Sequence, residues 1–252
     1  MITLASDFGT PYPATMKGVI LRQSDARLVD IAHDFPRQDV RAAAFWLREV
    51  LPEFPPATHL VVVDPGVGTD RAAIVVEAGG HRIVAPDNGV ALPAARRLVD
   101  DDEEIHVYEV AYDDDETASN TFHGRDVFAP AAARVHEVDE VAHADGVLSA
   151  DDWVDMTFPE PIRDQDAATG EVLVVDGFGN AITNIPGHVL DGHSTVRVND
   201  EFAPVEDAYA EMDPGERLVT VGSHGNVEFA VNQGRGDEAF GLTVGDDVSL
   251  SW

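Results

Sequence analysis

Residues 61–71 read VVVDPGVGTDR, and the rest of the chain is organised around this stretch. It opens as a β-branched run, which is typical of a strand buried on both faces of a sheet. Pro65 and two glycines then end the strand and let backbone approach a ligand closely. Asp64 is therefore predicted at a carboxyl strand end, where open α/β sheets bind ligands, with Arg71 following in the same loop. The alternative is a tight turn with a solvated ion pair.

The amino-acid composition limits the classes of protein to which this chain can belong. The 252 residues carry 16 Lys+Arg against 47 Asp+Glu, a formal net charge of −31, and 44% of them are hydrophobic, as in an ordinary globular core. Such an acidic surface repels nucleic acid and anionic membranes, so we expect neither as a partner. Because the acids are spread along the chain, we interpret the charge as halophilic, an adaptation to high salt that screens self-repulsion.

Cysteine usage and hydropathy narrow the class further. The chain has no cysteine, which excludes disulfides and thiolate metal sites. Its first residues read as a strand without a basic and then apolar leader, and no stretch is long enough to span a bilayer. We therefore expect a cytoplasmic protein.

The first part of the chain alternates strand and helix patterns. Strands are predicted at 2–5, 27–31, 73–77 and 82–85 besides the opening run, and helices at 16–22, 40–50, 90–98 and 127–138. This alternation predicts an N-terminal α/β domain over residues 1–158, built on a doubly wound, mostly parallel sheet.

The second part of the chain is poor in helical patterns. Residues 159–169 lack periodicity and read as a linker. Short strands then alternate with Gly, Asp and Asn turns, at 171–175, 195–198, 202–205, 217–221, 227–231 and 247–252. They predict a C-terminal domain over residues 170–252, a small antiparallel β-barrel, with a sandwich as the alternative.

Asp7 is predicted at a second carboxyl strand end. An acid there can bind the vicinal hydroxyls of a ribose, as in dinucleotide folds. The chain has no G-x-G-x-x-G to receive a pyrophosphate, so a nucleoside without a diphosphate fits better. An Asx-turn or a helix cap is the structural alternative for Asp7.

Two histidines lie in predicted loops. His33 and Asp34 are interpreted as a loop ion pair, because no further histidine stands at ligand spacing beside them. His123 lies in the turn before a helix: a lone loop histidine is usually a surface residue, but one beside a helix start and a glycine is also how a catalytic histidine is commonly presented. Asp126 is predicted to cap that helix.

Five sequence blocks agree in order and spacing with one family: residues 7–10 (DFGT), 64–69 (DPGVGT), 86–89 (PDNG), 121–126 (TFHGRD) and 176–180 (DGFGN) with Thr183 and Asn184. Over nearly the whole chain they resemble the S-adenosyl-L-methionine (SAM) hydroxide adenosyltransferases, which are SAM hydrolases related to the fluorinating and chlorinating adenosyl-halide synthases. The resemblance implies an α/β domain, a β-barrel and a homotrimer with sites between the domains of neighbouring subunits.

The same resemblance implies the chemistry. A triad of Asp64, Arg71 and His123 would handle a water that attacks C5′ of the ribose of SAM, giving adenosine and L-methionine without metal or cofactor. In the halide synthases the Asp and His positions hold other residue types, and the fluorinating member has an additional loop. This chain keeps both residues, so it looks like the hydrolase branch.

Roles for substrate-binding residues also follow only from the resemblance. Asp7 would hold the ribose hydroxyls, Asp176 the methionine ammonium and Ser223 the methionine carboxylate. The nucleoside would be surrounded by Phe178 and Asn180 and by backbone near Val231 and Gln233. The block at Asp176 is one residue shorter than in the halide synthases, and a plain β-turn is its structural alternative.

Three rival functions use the same residues. A halide synthase would take SAM and chloride, which a carboxylate facing the nucleophile should repel. A metallophosphoesterase could use Asp7, Asp64, Asn88 and His123 as ligands. A nucleoside-binding protein would bind SAM without turning it over.

Overall fold

A computed structural model describes residues 1–100, 102–112, 119 and 121–252. The acidic run at 113–116, which the sequence favours as a solvated loop, lies outside these residues. Contacts divide the chain into two compact units, Met1–Thr157 and Phe158–Trp252. Among the described residues, no helix combines the length and the apolar character needed to cross a membrane.

The first unit contains a mixed seven-stranded sheet in the order β2-β1-β3-β5-β4-β6-β7. Its strands are β1 Ile2–Ser6, β2 Leu28–Ala32, β3 Thr58–Val62, β4 Ala73–Ala78, β5 His81–Pro86, β6 His106–Val110 and β7 Val147–Ser149. The three pairings among β2, β1, β3 and β5 are parallel, and the three from β5 to β7 are antiparallel. The parallel half therefore holds the strand that carries the opening sequence run.

Helices cover this sheet: α1 Tyr12–Ile20, α2 Val40–Val50, α3 Leu92–Leu98 and α4 Ala129–His136. α1 packs on α4 and α2 packs on α3. Asp39 caps α2, because its carboxylate accepts a hydrogen bond from the Ala42 amide at 2.9 Å. α1 begins earlier than predicted, since Pro13 occupies its first turn, where a missing amide costs no hydrogen bond.

The core of the first unit follows the pleat of the sheet. Leu60 and Val62 of β3 pack with Phe128 and the alanines of α4 in one apolar cluster. Side chains alternate along a strand, so His59 and Val61 point to the opposite face. All five residues of β3 are buried, which is the burial that the β-branched run predicts.

The second unit is an antiparallel, nearly closed barrel-like sheet in the order β12-β11-β15-β9-β10-β14-β13, with β8 paired to β9. Its strands are β8 Ile162–Arg163, β9 Ala167–Val175, β10 Ala181–Pro186, β11 Thr195–Val198, β12 Glu201–Pro204, β13 Arg217–Val221, β14 Asn226–Val231 and β15 Asp247–Ser251. A bridge between Val205 and Val219 joins the two outer strands. The one α-helix among the described residues of this unit is α5 Gly236–Phe240.

The predicted fold class is confirmed: an α/β sheet domain is followed by an antiparallel barrel. Local features differ from the expectation in both units, and in the first unit β6 and β7 were not predicted as strands. Thr183 and Asn184 lie in β10, which the sequence pattern did not reveal as a strand. Part of the segment interpreted as a linker, Ile162–Arg163 and the start of β9 at Ala167, is paired in the second sheet.

Candidate active site

Three neighbouring parallel strands end at one edge of the first sheet. β1, β3 and β5 are adjacent, and the residues that follow them include Asp7, Asp64 and Asp87. Parallel strands present their carboxyl ends together, so three carboxylates from distant sequence positions share this edge. This edge is the candidate active site of the first unit.

Asp64 and Arg71 form a buried, two-point ion pair. Arg71 donates from Nε to Asp64 Oδ1 at 3.1 Å and from Nη2 to Oδ2 at 2.6 Å. Their side chains are only 4% and 7% exposed. A planar guanidinium matches a carboxylate in this way, and low exposure makes the contact stronger than a surface pair. The solvated alternative for this pair is therefore wrong.

The loop between the two residues is held by its own hydrogen bonds. Thr69 donates to the Gly66 carbonyl from its hydroxyl at 2.7 Å and from its amide at 3.1 Å. The Gly66 amide in turn donates to Asp64 Oδ1 at 3.2 Å. These turns bring Arg71 back to the strand end, where its side chain reaches Asp64.

His123 completes the cluster from a distant part of the chain. Its Nδ1 lies 3.1 Å from Arg71 Nη2, and the residue is 1% exposed. An arginine has only donors, so Nδ1 must be the acceptor and the imidazole proton must reside on Nε2. The geometry thus selects one tautomer of a neutral His123.

Further contacts of Arg71 fix the guanidinium. Its Nη1 donates to the Ala72 carbonyl at 3.1 Å, and its Cζ lies 5.0 Å from the ring centre of Phe128. The Tyr112 hydroxyl donates to the Arg71 carbonyl at 3.0 Å, and the Tyr112 ring lies 5.6 Å from that of His123. Tyr112 and Phe128 were not predicted as site residues, because neither belongs to a chemically suggestive motif.

Burial changes the acidity of Asp64. Desolvation raises the pKa of its carboxyl group above the ordinary value, against the lowering effects of the Arg71 charge and hydrogen bonds. The carboxylate is therefore a better proton acceptor than an exposed aspartate, while Arg71 keeps its ionised form accessible.

Asp7 lies at the same edge but has its own local partner. Its Oδ2 accepts a hydrogen bond from the Gln38 amide at 2.7 Å. Gln38 is 31 positions away, so this contact is neither an Asx-turn nor a helix cap. Beside it, the Phe8 ring packs edge-on against Phe122 at 5.8 Å, one residue before His123.

In the second unit, Asp176 organises a turn between β9 and β10. Its Oδ1 accepts from the amides of Phe178 and Asn180 at 2.8 and 2.9 Å, and its Oδ2 accepts from Asn180 Nδ2 at 3.1 Å. Gly179 in this turn has φ +91°, and a Cβ there would lie 2.8 Å from Arg235 Cγ. The β-turn given above as the structural alternative for this block is thus present. Phe178 lies at the tip of the turn and is 81% exposed.

The remaining predicted binding residues lie at two ends of β14. β10 pairs with β14 through Ala181 and Phe229, which places Asn180 at the same end as Val231 and Gln233. Ser223 lies in the hairpin before β14, at the other end. Five residue steps along β14 correspond to about 17 Å. A ligand that touched both groups would have to be elongated.

Two local expectations are corrected. His33 pairs with Asp30 at 3.0 Å and contacts the Ser6 hydroxyl at 2.8 Å, so its ionic partner is not Asp34. Asp126 lies inside a π-helical turn, Gly124–Phe128, where Arg125 Nε donates to it at 2.6 Å. It is therefore not the cap of α4.

No group of three or more His, Cys, Asp or Glu residues in the described part of the chain is arranged to hold a metal ion. Asp64 instead has a guanidinium as its partner. The geometry consequently gives no support to a metal-binding set made of Asp7, Asp64, Asn88 and His123.

Family models match both units. The model described as the SAM hydroxide adenosyltransferase N-terminal domain matches residues 2–145. The model of the corresponding C-terminal domain matches residues 170–249.

Curated relatives match over nearly the full length. The chain is 37% identical over 254 residues to a protein of Salinispora tropica named (R)-S-adenosyl-L-methionine hydrolase, covering 99% of this chain and 97% of the relative. It is 38% identical over 256 residues to a protein of the same name from Thermus thermophilus, covering 97% of each.

Solved structures share the fold. An uncharacterised conserved protein from Thermotoga maritima matches with a TM-score of 0.84 and 33% identity over 100% of both chains. A conserved hypothetical protein from Thermus thermophilus matches with a TM-score of 0.77 and 33% identity, covering 99% of this chain and 98% of that one.

Proposed function

Because this chain belongs to the SAM hydroxide adenosyltransferase family, we propose that it hydrolyses SAM to adenosine and L-methionine by attack of water at ribose C5′. The observation that carries the proposal is the buried contact of Asp64, Arg71 and His123. The Asp64 carboxylate offers a hydrogen-bond acceptor to a water molecule. The His123 imidazole, whose tautomer is defined by the fixed Arg71 cation, offers a donor.

The reaction is balanced by release of one proton. SAM is a sulfonium cation, and its carbon–sulfur bond breaks as the new carbon–oxygen bond forms. Methionine leaves as a neutral thioether, so the leaving group needs no acid. The attacking water becomes a strongly acidic protonated alcohol during this displacement, so a carboxylate can accept its proton.

Asp64 is the proton acceptor in this mechanism. Its Oδ2 accepts one hydrogen bond from Arg71 and has a second lone pair for water. The raised pKa of Asp64 increases its affinity for the proton, and Arg71 keeps it ionised beforehand. The first property favours transfer of the proton from water to Asp64, and the second keeps Asp64 in the ionised form that can accept it.

His123 acts as a donor in the same mechanism. With Nδ1 occupied by Arg71, the imidazole carries its proton on Nε2 and can donate it to the water oxygen. The family resemblance implied only that the three residues handle the water, and this proposal gives His123 the donor role. Donor and acceptor together orient the water for in-line attack, and exclusion of solvent favours the loss of charge as the reactants meet.

The substrate contacts follow the family pattern. Asp7 binds the ribose hydroxyls, Asp176 binds the methionine ammonium and Ser223 binds the methionine carboxylate. Phe178, Asn180 and backbone at Val231 and Gln233 surround the adenosine. The separation of Ser223 from Val231 along β14 supports an elongated ligand, and SAM carries its adenine and its carboxylate at opposite ends.

The assembly and habitat are proposed on the same basis. The protein forms a homotrimer, in which the N-terminal domain of one subunit meets the C-terminal domain of the next at each site. The exposed Phe178 ring supports a partner surface there. The net charge of −31 supports a halophilic, cytoplasmic enzyme with no nucleic-acid partner.

The decisive experiment is incubation of the protein with SAM in concentrated KCl, with chromatographic detection of adenosine and methionine. We expect both products in equal amounts. Asp64→Asn should lower kcat by about a thousandfold, because it removes the proton acceptor. Asp70→Asn, a change at an exposed aspartate of the same loop, is the matched control and should retain wild-type kcat.

The same assay separates the rivals. Chlorodeoxyadenosine in place of adenosine would indicate a halide synthase. Loss of activity with a chelator would indicate a metalloenzyme. Intact SAM after prolonged incubation with a folded trimer would leave only a binding function and refute hydrolysis.

A further inference from the structure

The turn at Pro86–Gly89 has no role in the mechanism above, although it lies at the active edge. Asn88 Nδ2 donates to the Val63 carbonyl at 2.9 Å, and Asn88 Oδ1 accepts from the Val90 amide at 3.2 Å. Val63 directly precedes Asp64. The turn is therefore tied to the chain segment that presents the proton acceptor.

Asp87 in this turn is tied to the triad arginine. Its amide donates to the Ala72 carbonyl at 2.9 Å, and Arg71 Nη1 donates to the same oxygen at 3.1 Å. One carbonyl thus joins the backbone of Asp87 to the guanidinium of Arg71. A displacement of Asp87 would move an acceptor on which Arg71 depends.

The Asp87 side chain faces a second structural element. Its Oδ1 accepts a hydrogen bond from the Val154 amide at 2.8 Å. The segment 152–156 runs close to the turn, since a Cβ on Gly89 would lie 2.7 Å from Met156 Cβ. Arg96 holds the same segment through the Met156 carbonyl at 2.8 Å and through Asp155.

The charges around Asp87 agree with this placement. Desolvation raises the pKa of its carboxyl group, the Val154 hydrogen bond lowers it, the Asp152 charge raises it and the Arg71 charge lowers it. Arg71 and His123 are the charged or titratable groups that act on Asp64. The Arg71 charge thus acts on two carboxylates, Asp64 and Asp87, and only Asp64 has a role in the mechanism above.

We propose that Asp87 is a positioning residue of the hydrolytic site, which joins the segment 152–156 to the Ala72 carbonyl and so holds the Arg71 guanidinium against His123 Nδ1. Asp87 does not touch the reacting atoms in this proposal. It acts through Arg71, which sets the His123 tautomer and keeps Asp64 ionised. The inference rests on the proposed function for its kinetic consequence, but its structural consequence is independent of turnover.

Two substitutions of Asp87 distinguish the effect of its hydrogen bond from the effect of its charge. Asp87→Asn keeps an oxygen that can accept from Val154, whereas Asp87→Ala removes both the acceptor and the charge. We expect Asp87→Ala to lower kcat at least about tenfold with KM for SAM within about twofold, because Arg71 is misplaced while the binding residues are intact. Asp87→Asn should restore most of kcat.

Asp39→Ala provides the matched control. Asp39 also accepts one backbone amide, that of Ala42, but it caps α2 and has no link to Arg71. It should lower stability without changing kcat. An equal loss of kcat in Asp39→Ala and Asp87→Ala would overturn the proposal, as it would reduce the effect to general destabilisation.

A spectroscopic readout needs no substrate. In ¹⁵N-labelled trimer, the His123 ring nitrogens, assigned with His123→Gln, should show Nδ1 unprotonated and Nε2 protonated. Asp87→Ala should mix the two tautomers, and Asp87→Asn should keep the wild-type pattern. Unchanged His123 signals in Asp87→Ala would refute the proposal even if the wild-type protein produced no adenosine, and tautomer mixing would support it in that case too.

Discussion

Strand β3 has a buried titratable network at each end, and the two networks differ in charge. Near its start, His59 Nδ1 contacts the Thr3 hydroxyl at 2.7 Å and His59 Nε2 contacts His81 Nδ1 at 2.8 Å. Just beyond its end, Asp64 contacts Arg71 and, through it, His123. Both networks are nearly inaccessible to solvent, so burial does not distinguish them.

The partners distinguish the two ends. Around His59 they are a hydroxyl and a second imidazole, and burial followed by the His81 charge lowers the pKa of His59 to about 3. Burial also lowers the pKa of His81, so both imidazoles are neutral at neutral pH, and both ring nitrogens of His59 have hydrogen-bond partners within the network. Around Asp64 the partner is a guanidinium that stays protonated, so an anion persists in a dry site. A fixed cation, more than burial, therefore turns a structural network into one that can polarise water.

Among the variants that test this difference between the two ends of β3, Arg71→Lys is expected to have the largest effect. Lysine keeps the cation but cannot bond both oxygens of Asp64 and also His123 Nδ1. We expect kcat to fall by about a hundredfold with the fold intact, as measured by adenosine formation and circular dichroism. Wild-type kcat in this variant would mean that charge alone suffices and that the tautomer of His123 is irrelevant.

The next effect concerns acid stability at the other end of β3. The unfolded chain binds a proton on His59 below pH 6.5, whereas the folded protein binds it only near pH 3. Stability from this group therefore falls as pH drops from 6.5 towards 3, by about 2 kcal/mol at pH 5. Urea unfolding at pH 7 and pH 5 in constant KCl measures this loss.

A variant isolates the contribution of His59. His59→Gln should flatten the difference between the two pH values, while His106→Gln, a change at an exposed histidine of β6, should leave it as in the wild type. An identical pH dependence in wild type and His59→Gln would show that His59 is not the group responsible.

The smallest effect is expected for Thr3→Val. This nearly isosteric change removes the hydroxyl that contacts His59 and should lower the free energy of unfolding by about 1 kcal/mol. Because the network lies at the opposite end of β3 from Asp64, kcat should not change. Thr3→Ser keeps the hydroxyl as the control, and a substantial loss of kcat in Thr3→Val alone would break the proposed separation of the two ends.

Local patterns were sufficient for much of the fold. Strands at 195–198 and 217–221 and the helix at 40–50 were predicted with the bounds that the structure has. β10 was missed, because Asn184 and Pro186 resemble turn residues and its pairing with β9 and β14 overrides that local preference. The insertion of β4 between β5 and β6 depends on non-local pairing, which hydrophobic periodicity does not encode.

Residue types and their spacing determined what the site contains. The break from a β-branched run into Asp64-Pro65-Gly66 is a local property of the sequence, as are Arg71 in the same loop and His123 in the turn before a helix, and the family resemblance gave these three residues a common role. The tautomer of His123, the burial of the ion pair and the link from Asp87 to Arg71 were decided only by the tertiary structure. Each depends on distances between groups far apart in sequence, such as the 52 positions from Arg71 to His123, and these distances are set by packing rather than by local conformation.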